Sequence, residues 1–183
     1  MKTVYYSATS LNGFIADQNN SLEWLFQFDG GVGAPDFEAF ISEVGAIAMG
    51  STTYMWLYDH LLKKDKPETW PYNIPSWIFT SRQLPLFPEA DVRFVKGDVK
   101  PVYEEMKSVA AGKNIWLVGG GELVGQFYDQ GYLNEIILNI APLTLSGGAP
   151  LLPRTMNPPM KLKAVLDRNP FVELHYEVPA PKR

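Results

Sequence analysis

The chain has 183 residues, and 46% of them are hydrophobic, which is enough for one domain with a full-sized core. A net charge of −4, with the 16 basic residues scattered, excludes the clustered Lys and Arg of a nucleic-acid-binding surface. The absence of cysteine excludes disulfides, thiol nucleophiles and cysteine-based metal sites.

The N-terminal segment has no signal-peptide pattern and enters a predicted strand at 4–8 directly. Asn12 and Gly13 then predict a turn, because both residue types tolerate positive φ. No apolar run reaches about 18 residues, so we expect no membrane segment. Together these features predict a cytoplasmic protein.

A helix is predicted from Asp36 to Val44, with Pro35 just ahead of it. Its apolar residues recur at the i, i+3, i+4, i+7 spacing of one helix face: Phe37, Phe40, Ile41 and Val44. A short buried strand is predicted at 46–49, where Gly50 ends it. From Ser51 onward the pattern is again helical.

The second half of the chain alternates strands and helices. Strands are predicted at 75–80, 92–95 and 133–141, with helices after Asp98 and at 122–129. Two late strands, 160–167 and 171–178, predict a hairpin. This alternation indicates an α/β fold with a mostly parallel sheet, helices on both faces and an antiparallel C-terminal hairpin. Because no linker divides the sequence, we expect a single domain over residues 1–183.

Two strand-to-helix junctions carry the strongest functional signal. One consists of Met49, Gly50, Ser51, Thr52 and Thr53, and the other of Val118, Gly119, Gly120 and Gly121. Ligands of open α/β sheets bind outside the carboxyl ends of the strands, and helix N-termini bind phosphate. The pair therefore predicts a shared pyrophosphate site. The alternative is that the hydroxyls only cap a helix and the glycines only form a tight turn.

Two other phosphate motifs do not fit. The chain contains no Gly-Lys-Ser/Thr P-loop. The glycines at 119, 121 and 125 are spaced like a dinucleotide fingerprint, but they lie late in the chain and no acidic ribose contact follows. A Rossmann assignment therefore fails.

A third strand end presents Thr80, Ser81 and Arg82. The guanidinium fork of arginine matches the oxygens of a phosphate, so Ser81 and Arg82 are the predicted contacts of a 2′-phosphate if the nucleotide is NADPH. The alternative is an arginine that is simply solvated.

Asp36 is the main candidate acid. At the start of a helix it either caps the helix or binds the N–H groups of a pterin-like or pyrimidine-like ring and handles a proton. Trp24 is a candidate to cover such a ring. His60 and His175 lack metal-like spacing, so we expect them to be structural and expect no metal site. Hydride transfer from a nicotinamide needs positioning and a proton source rather than a nucleophile, which is consistent with a reductase.

These residues together resemble the dihydrofolate reductase-like superfamily, and especially the C-terminal reductase domain of the bifunctional riboflavin-biosynthesis protein. The resemblance covers about 150 residues, in matching order and spacing. Its segments are 10–16, 49–53, 80–82, 118–123, 133–143 and 147–151.

The resemblance implies a three-layer dihydrofolate reductase-like fold, an NADPH cofactor and a homodimer. It places the cofactor contacts on three segments: Met49, Gly50, Ser51, Thr52 and Thr53; Thr80, Ser81 and Arg82; and Val118, Gly119, Gly120, Gly121, Glu122 and Leu123. The substrate would lie between the early loop and the Asp36 helix, against Ala8, Ser10, Asn12, Trp24, Asp36 and Phe40. Asp36 would be the catalytic residue.

The departures from the riboflavin reductases concern the substrate. Those enzymes carry an Asp-Gly turn followed by a basic residue, whereas this chain has Asn12 and Phe14 at these positions. Their Arg- and His-containing stretch is replaced by 36–40, which resembles the acidic helix of dihydrofolate reductases, and the deaminase half is missing. A phosphoribosylated substrate is therefore not favoured. The alternatives to a reductase are a non-catalytic NADP(H)-binding module and a dimeric interaction protein.

Overall fold

One eight-stranded sheet organises the chain. The structure is a computed structural model that describes residues 1–28, 37–62 and 67–182. The ten strands are β1 (Thr3–Ser10), β2 (Phe14–Ala16), β3 (Val44–Gly50), β4 (Ser76–Phe79), β5 (Val92–Val95), β6 (Asn114–Gly119), β7 (Glu135–Ala141), β8 (Ala149–Pro150), β9 (Lys161–Arg168) and β10 (Phe171–Glu177). The helices are α1 (Phe37–Ser42), α2 (Ser51–Leu62), α3 (Val99–Ala110) and α4 (Gly121–Asp129), with a 3₁₀ turn at Glu23–Leu25.

The strand order in the main sheet is β5-β4-β3-β6-β1-β7-β10-β9. Neighbouring strands from β5 to β7 are parallel, whereas β10 is antiparallel to β7 and β9 is antiparallel to β10. The predicted fold class is thus confirmed, including the C-terminal hairpin. Because the first six strands run in one direction, their carboxyl ends meet at one edge of the sheet.

Alternate residues of each strand face different cores. Tyr5 and Leu117 pack with α3 and α4, whereas Tyr6 and Trp116 pack with α1 and α2. This alternation follows from the two-residue period of a strand, and it explains why the central strands are apolar on both faces. A smaller third cluster around Ala8 joins β1 to the segment that carries the 3₁₀ turn.

Most predicted elements are found at or near their predicted positions. The Asp98 carboxylate accepts a hydrogen bond of 2.8 Å from Lys100 N and caps α3, as its position predicted. The predicted end of the first helix is wrong, because Val44 already pairs with Asn114 in the sheet. Among the described residues, no helix combines the length and the apolar character needed to cross a bilayer.

Candidate active site

The two glycine junctions lie side by side. β3 and β6 are neighbours, and Met49 is paired with Gly119. The Gly50 nitrogen lies 3.8 Å from the position that a Cβ on Gly120 would occupy. The N-termini of α2 and α4 therefore open at adjacent strand ends, as the sequence predicted for a shared phosphate site.

Glycine stands at each of these three consecutive positions for a different structural reason. Gly120 has φ +91° and precedes the first turn of α4, a conformation that other residues adopt only with strain. Gly119 lies against Thr53, whose Oγ1 would be 3.2 Å from an added Cβ. A Cβ on Gly121 would overlap the carbonyl oxygens of Pro150 and Leu151. Gly121 is thus required by close backbone packing, independently of any ligand.

The β3–α2 junction carries polar groups that have no hydrogen-bond partner in the described part of the chain. No described atom outside the chain neighbours of Gly50 lies within 4 Å of the place of its missing Cβ. The hydroxyls of Ser51, Thr52 and Thr53 make no hydrogen bond within the described part of the chain. The first amides of a helix also lack intrahelical acceptors. This corner therefore presents several donors that no described residue satisfies, and no described side chain caps α2.

The β4 strand end adds a cation to the same edge. Phe79 is paired with Gly50, so the residues that follow it emerge beside the β3–α2 junction. Thr80 Oγ1 accepts a hydrogen bond of 2.9 Å from Arg82 N and thereby shapes this turn. The exposed guanidinium of Arg82 makes no ion pair with a described residue, which leaves its donors available to an anion.

The remaining residues of the predicted cofactor segment have other roles in the packing. Leu123 is buried in the core and Val118 packs at the edge of the α1–α2 core. The Glu122 carboxylate accepts two hydrogen bonds from Arg154, of 2.7 and 2.9 Å. This contact lowers the pKa of Glu122. Glu122 is thus held by an ion pair rather than directed at open space.

The predicted substrate residues fall into two groups, one of which forms the β1–β2 turn. Ser10 Oγ accepts from Phe14 N at 3.0 Å and donates to Asn12 Oδ1 at 2.9 Å. The Asn12 amide exchanges hydrogen bonds with the backbone of Leu145, donating at 2.8 Å and accepting at 3.0 Å. Both polar side chains are therefore engaged in fixing the turn.

The second group lies on one face of β1. Phe40 stacks on Tyr6 with ring centroids 4.8 Å apart and meets Trp116 edge-on at 5.6 Å. Ala8 belongs to the same packed cluster as Trp24. Asp36, the predicted catalytic residue, lies outside the described residues.

One residue near this face, Asn139, was missed by the sequence reasoning. Asn139 is the cross-strand neighbour of Ala8 on one side and of Glu173 on the other. Its Nδ2, like Trp24 Nε1, is buried without an acceptor among the described residues. The signal in the sequence is one amide inside the apolar segment 136–141. A buried donor without an acceptor is costly, so this face is suited to a ligand that presents hydrogen-bond acceptors.

The histidines have structural partners. His175 Nε2 lies 2.8 Å from Glu173 Oε1, and the buried Glu173 carboxylate also accepts from Arg168 at 3.3 Å. His60 stacks on Trp56 at 4.6 Å. Within the described ranges no group of three or more acidic or histidine side chains is arranged to hold a metal ion.

The fold is dihydrofolate reductase-like, as superposition on two solved structures shows. Dihydrofolate reductase from Enterococcus faecalis, solved with NADP(H) and RAB-propyl, superposes with a TM-score of 0.57 at 13% identity, over 96% of this chain and 94% of that chain. A protein of Shewanella sp. PV-4, provisionally assigned to riboflavin biosynthesis, superposes with a TM-score of 0.78 at 23% identity over the full length of both chains.

The chain belongs to the RibD C-terminal domain family, which matches residues 2–167. The uncharacterized protein YwjB of Bacillus subtilis is 30% identical over 176 residues, which are 96% of this chain and 97% of YwjB. The deaminase/5-amino-6-(5-phosphoribosylamino)uracil reductase of Thermotoga maritima is 16% identical with a TM-score of 0.66, over 97% of this chain but 56% of that enzyme. The fold is thus of the reductase type.

Proposed function

We propose that the chain is an NADPH-dependent reductase that acts on a small nitrogen heterocycle or a related conjugated compound. The main supporting observation is the pair of adjacent glycine junctions, at which two helix N-termini meet three hydroxyls that have no partner among the described residues. Their donors suit the pyrophosphate, and Arg82, which makes no ion pair with a described residue, suits the 2′-phosphate. When bound, this cofactor supplies the hydride.

The substrate class is proposed from the residues around the face of β1 that carries Tyr6 and Ala8. The stacked rings of Phe40 and Tyr6 give this face of β1 an aromatic, apolar character, and the buried donors of Trp24 and Asn139 lack acceptors among the described residues. A planar ring that carries carbonyl or imine acceptors complements both features. Reducing such a ring takes one hydride to carbon and one proton to a heteroatom, and Asp36 stays the predicted residue for the proton.

Tryptophan fluorescence during an NADPH titration tests the cofactor. We expect NADPH to quench the fluorescence with a dissociation constant in the micromolar range. A dissociation constant in the millimolar range or above would contradict the proposed cofactor. Oxidation of NADPH is then followed at about 340 nm with dihydrofolate and with the ribosylaminouracil phosphate as separate substrates. Turnover of dihydrofolate but not of the ribosylaminouracil phosphate would agree with Asn12 and Phe14, the two positions at which this chain departs from the riboflavin reductases.

Two outcomes separate an enzyme from its alternatives. Tight NADPH binding with no reduction of either compound would favour a non-catalytic binding module, and Asp36→Asn would then have no turnover to lower. If turnover is found, Asp36→Asn should lower it with little change in NADPH affinity.

We further propose, on the resemblance alone, that the chain forms a homodimer. Light scattering coupled to size exclusion should give twice the chain mass of 20.6 kDa. A particle with the mass of one chain, over a range of protein concentrations, would contradict this proposal.

A further inference from the structure

Arg154 joins the loop after β8 to helix α4 through three contacts. Its guanidinium donates two hydrogen bonds to Glu122, at 2.7 and 2.9 Å, and one of 2.9 Å to Asp129. It also covers Gly125, because an added Cβ there would come within 2.7 Å of Arg154 Cζ. The Arg154 side chain is 22% exposed, whereas that of Glu122 is 64% exposed. The cation is thus packed against the helix, and the anion stays near solvent.

The position of Glu122 makes its charge matter. It is the second residue of α4, and helical Cα–Cβ bonds tilt toward the N-terminus. A carboxylate on the first turn is attracted by the positive end of the helix. The same end is the proposed phosphate site, so an unpaired Glu122 would compete with the phosphate and repel it. Salt screens a repulsion between charges only partly when they lie within the Debye length, which is about 8 Å at physiological ionic strength.

We propose that Arg154 is a positioning residue for the cofactor, which it assists by neutralising Glu122 at the N-terminus of α4. This inference rests on the proposed function. Arg154 does not itself contact the cofactor in this arrangement, because its donors are committed to Glu122 and Asp129. It draws the Glu122 carboxylate away from the helix end, and the α4 amides stay available to a phosphate.

The role is tested with a charge-suppressor pair. Arg154→Met should weaken NADPH binding about fivefold at low salt, the size of a charge effect at a helix terminus, and the loss should shrink at high salt. The double variant Glu122→Gln/Arg154→Met should recover the wild-type affinity to within about twofold, because the repelling charge is gone. Affinities are measured by isothermal titration calorimetry.

Two controls separate charge from packing. Arg93→Met removes an arginine that likewise pairs with two acids, Asp91 and Glu105, but that lies on the edge strand β5 and makes no ion pair with α4, and it should leave NADPH affinity unchanged. Reduced nicotinamide riboside has no phosphate, so its affinity should not respond to Arg154→Met. Weaker binding of this phosphate-free probe would assign the effect to packing and overturn the proposal.

The remaining outcomes are decisive as well. If the double variant stays as weak as Arg154→Met, Arg154 is only a structural clamp and the inference is wrong, while the proposed function stands. If the wild-type chain does not bind NADPH, both fall. Should Arg154→Met fail to fold, Glu122→Gln alone keeps the question open to test: it should bind NADPH at least as tightly as the wild type, and weaker binding would overturn the inference.

Discussion

The β3–α2 junction and the β1–β2 turn differ in how their polar groups are used. Both are rich in small polar residues, and both were predicted to contact ligands. At the junction, the hydroxyls of Ser51, Thr52 and Thr53 have no partner in the described part of the chain. At the turn, the side chains of Ser10 and Asn12 are hydrogen-bonded to each other and to neighbouring backbone groups. A polar side chain is free to bind a ligand only where its donors and acceptors are not already engaged within the protein.

The largest expected effect contrasts two glycines. Gly121→Ala should lower the free energy of unfolding by about 3 kcal/mol, because the new Cβ overlaps the Pro150 and Leu151 carbonyl oxygens. Gly50→Ala enters open space and should change stability by less than about 1 kcal/mol. Urea denaturation of the two variants measures the difference. Equal losses would show that the two junctions do not differ in packing as described.

The next effect concerns the turn. Asn12→Ala removes both hydrogen bonds to the Leu145 backbone and should cost about 2 kcal/mol of stability. Thr52→Ala, at an exposed hydroxyl with no partner among the described residues, should cost less than about 0.5 kcal/mol. Thermal unfolding followed by circular dichroism compares them. A destabilised Thr52→Ala would mean that its hydroxyl has a structural role.

Local signals explain which parts of the fold were predictable from the sequence. The strand at 92–95 and the Asp98 cap were correctly predicted, because each depends on residues next to it. Val44 was misassigned to a helix, since its apolar spacing fits both a helix face and the first residue of a buried strand. The adjacency of the glycine junctions followed from the parallel topology rather than from either motif alone.

Long-range pairs account for what the sequence did not reveal about the site. Glu122 and Arg154 are 32 residues apart, and no local pattern connects them. The role of Gly121 depends on the carbonyl groups of Pro150 and Leu151, which come against it only in the folded chain. Asn139 was overlooked because an amide within an apolar segment has no meaning until its neighbours Ala8 and Glu173 are known.

A smaller effect is expected at the cation of the cofactor edge. Arg82→Ala should weaken NADPH binding about tenfold, because charge-assisted hydrogen bonds to a phosphate are lost. NADH has no 2′-phosphate, so its affinity should change little. Competition titrations of the two nucleotides give the ratio, and equal losses would refute the 2′-phosphate role of Arg82.

The smallest expected effect tests whether the Thr53 hydroxyl, which has no partner among the described residues, binds a ligand. Thr53→Val keeps the shape of the side chain and its contact with Gly119 but removes Oγ1. Stability should stay within about 0.5 kcal/mol of the wild type, because that hydroxyl has no partner in the described part of the chain. NADPH affinity should nevertheless fall about threefold, the value of a single neutral hydrogen bond. A loss of stability without a loss of NADPH affinity would contradict the comparison between the β3–α2 junction and the β1–β2 turn. The Thr53 hydroxyl would then stabilise the fold, as the polar groups of the turn do, rather than bind a ligand.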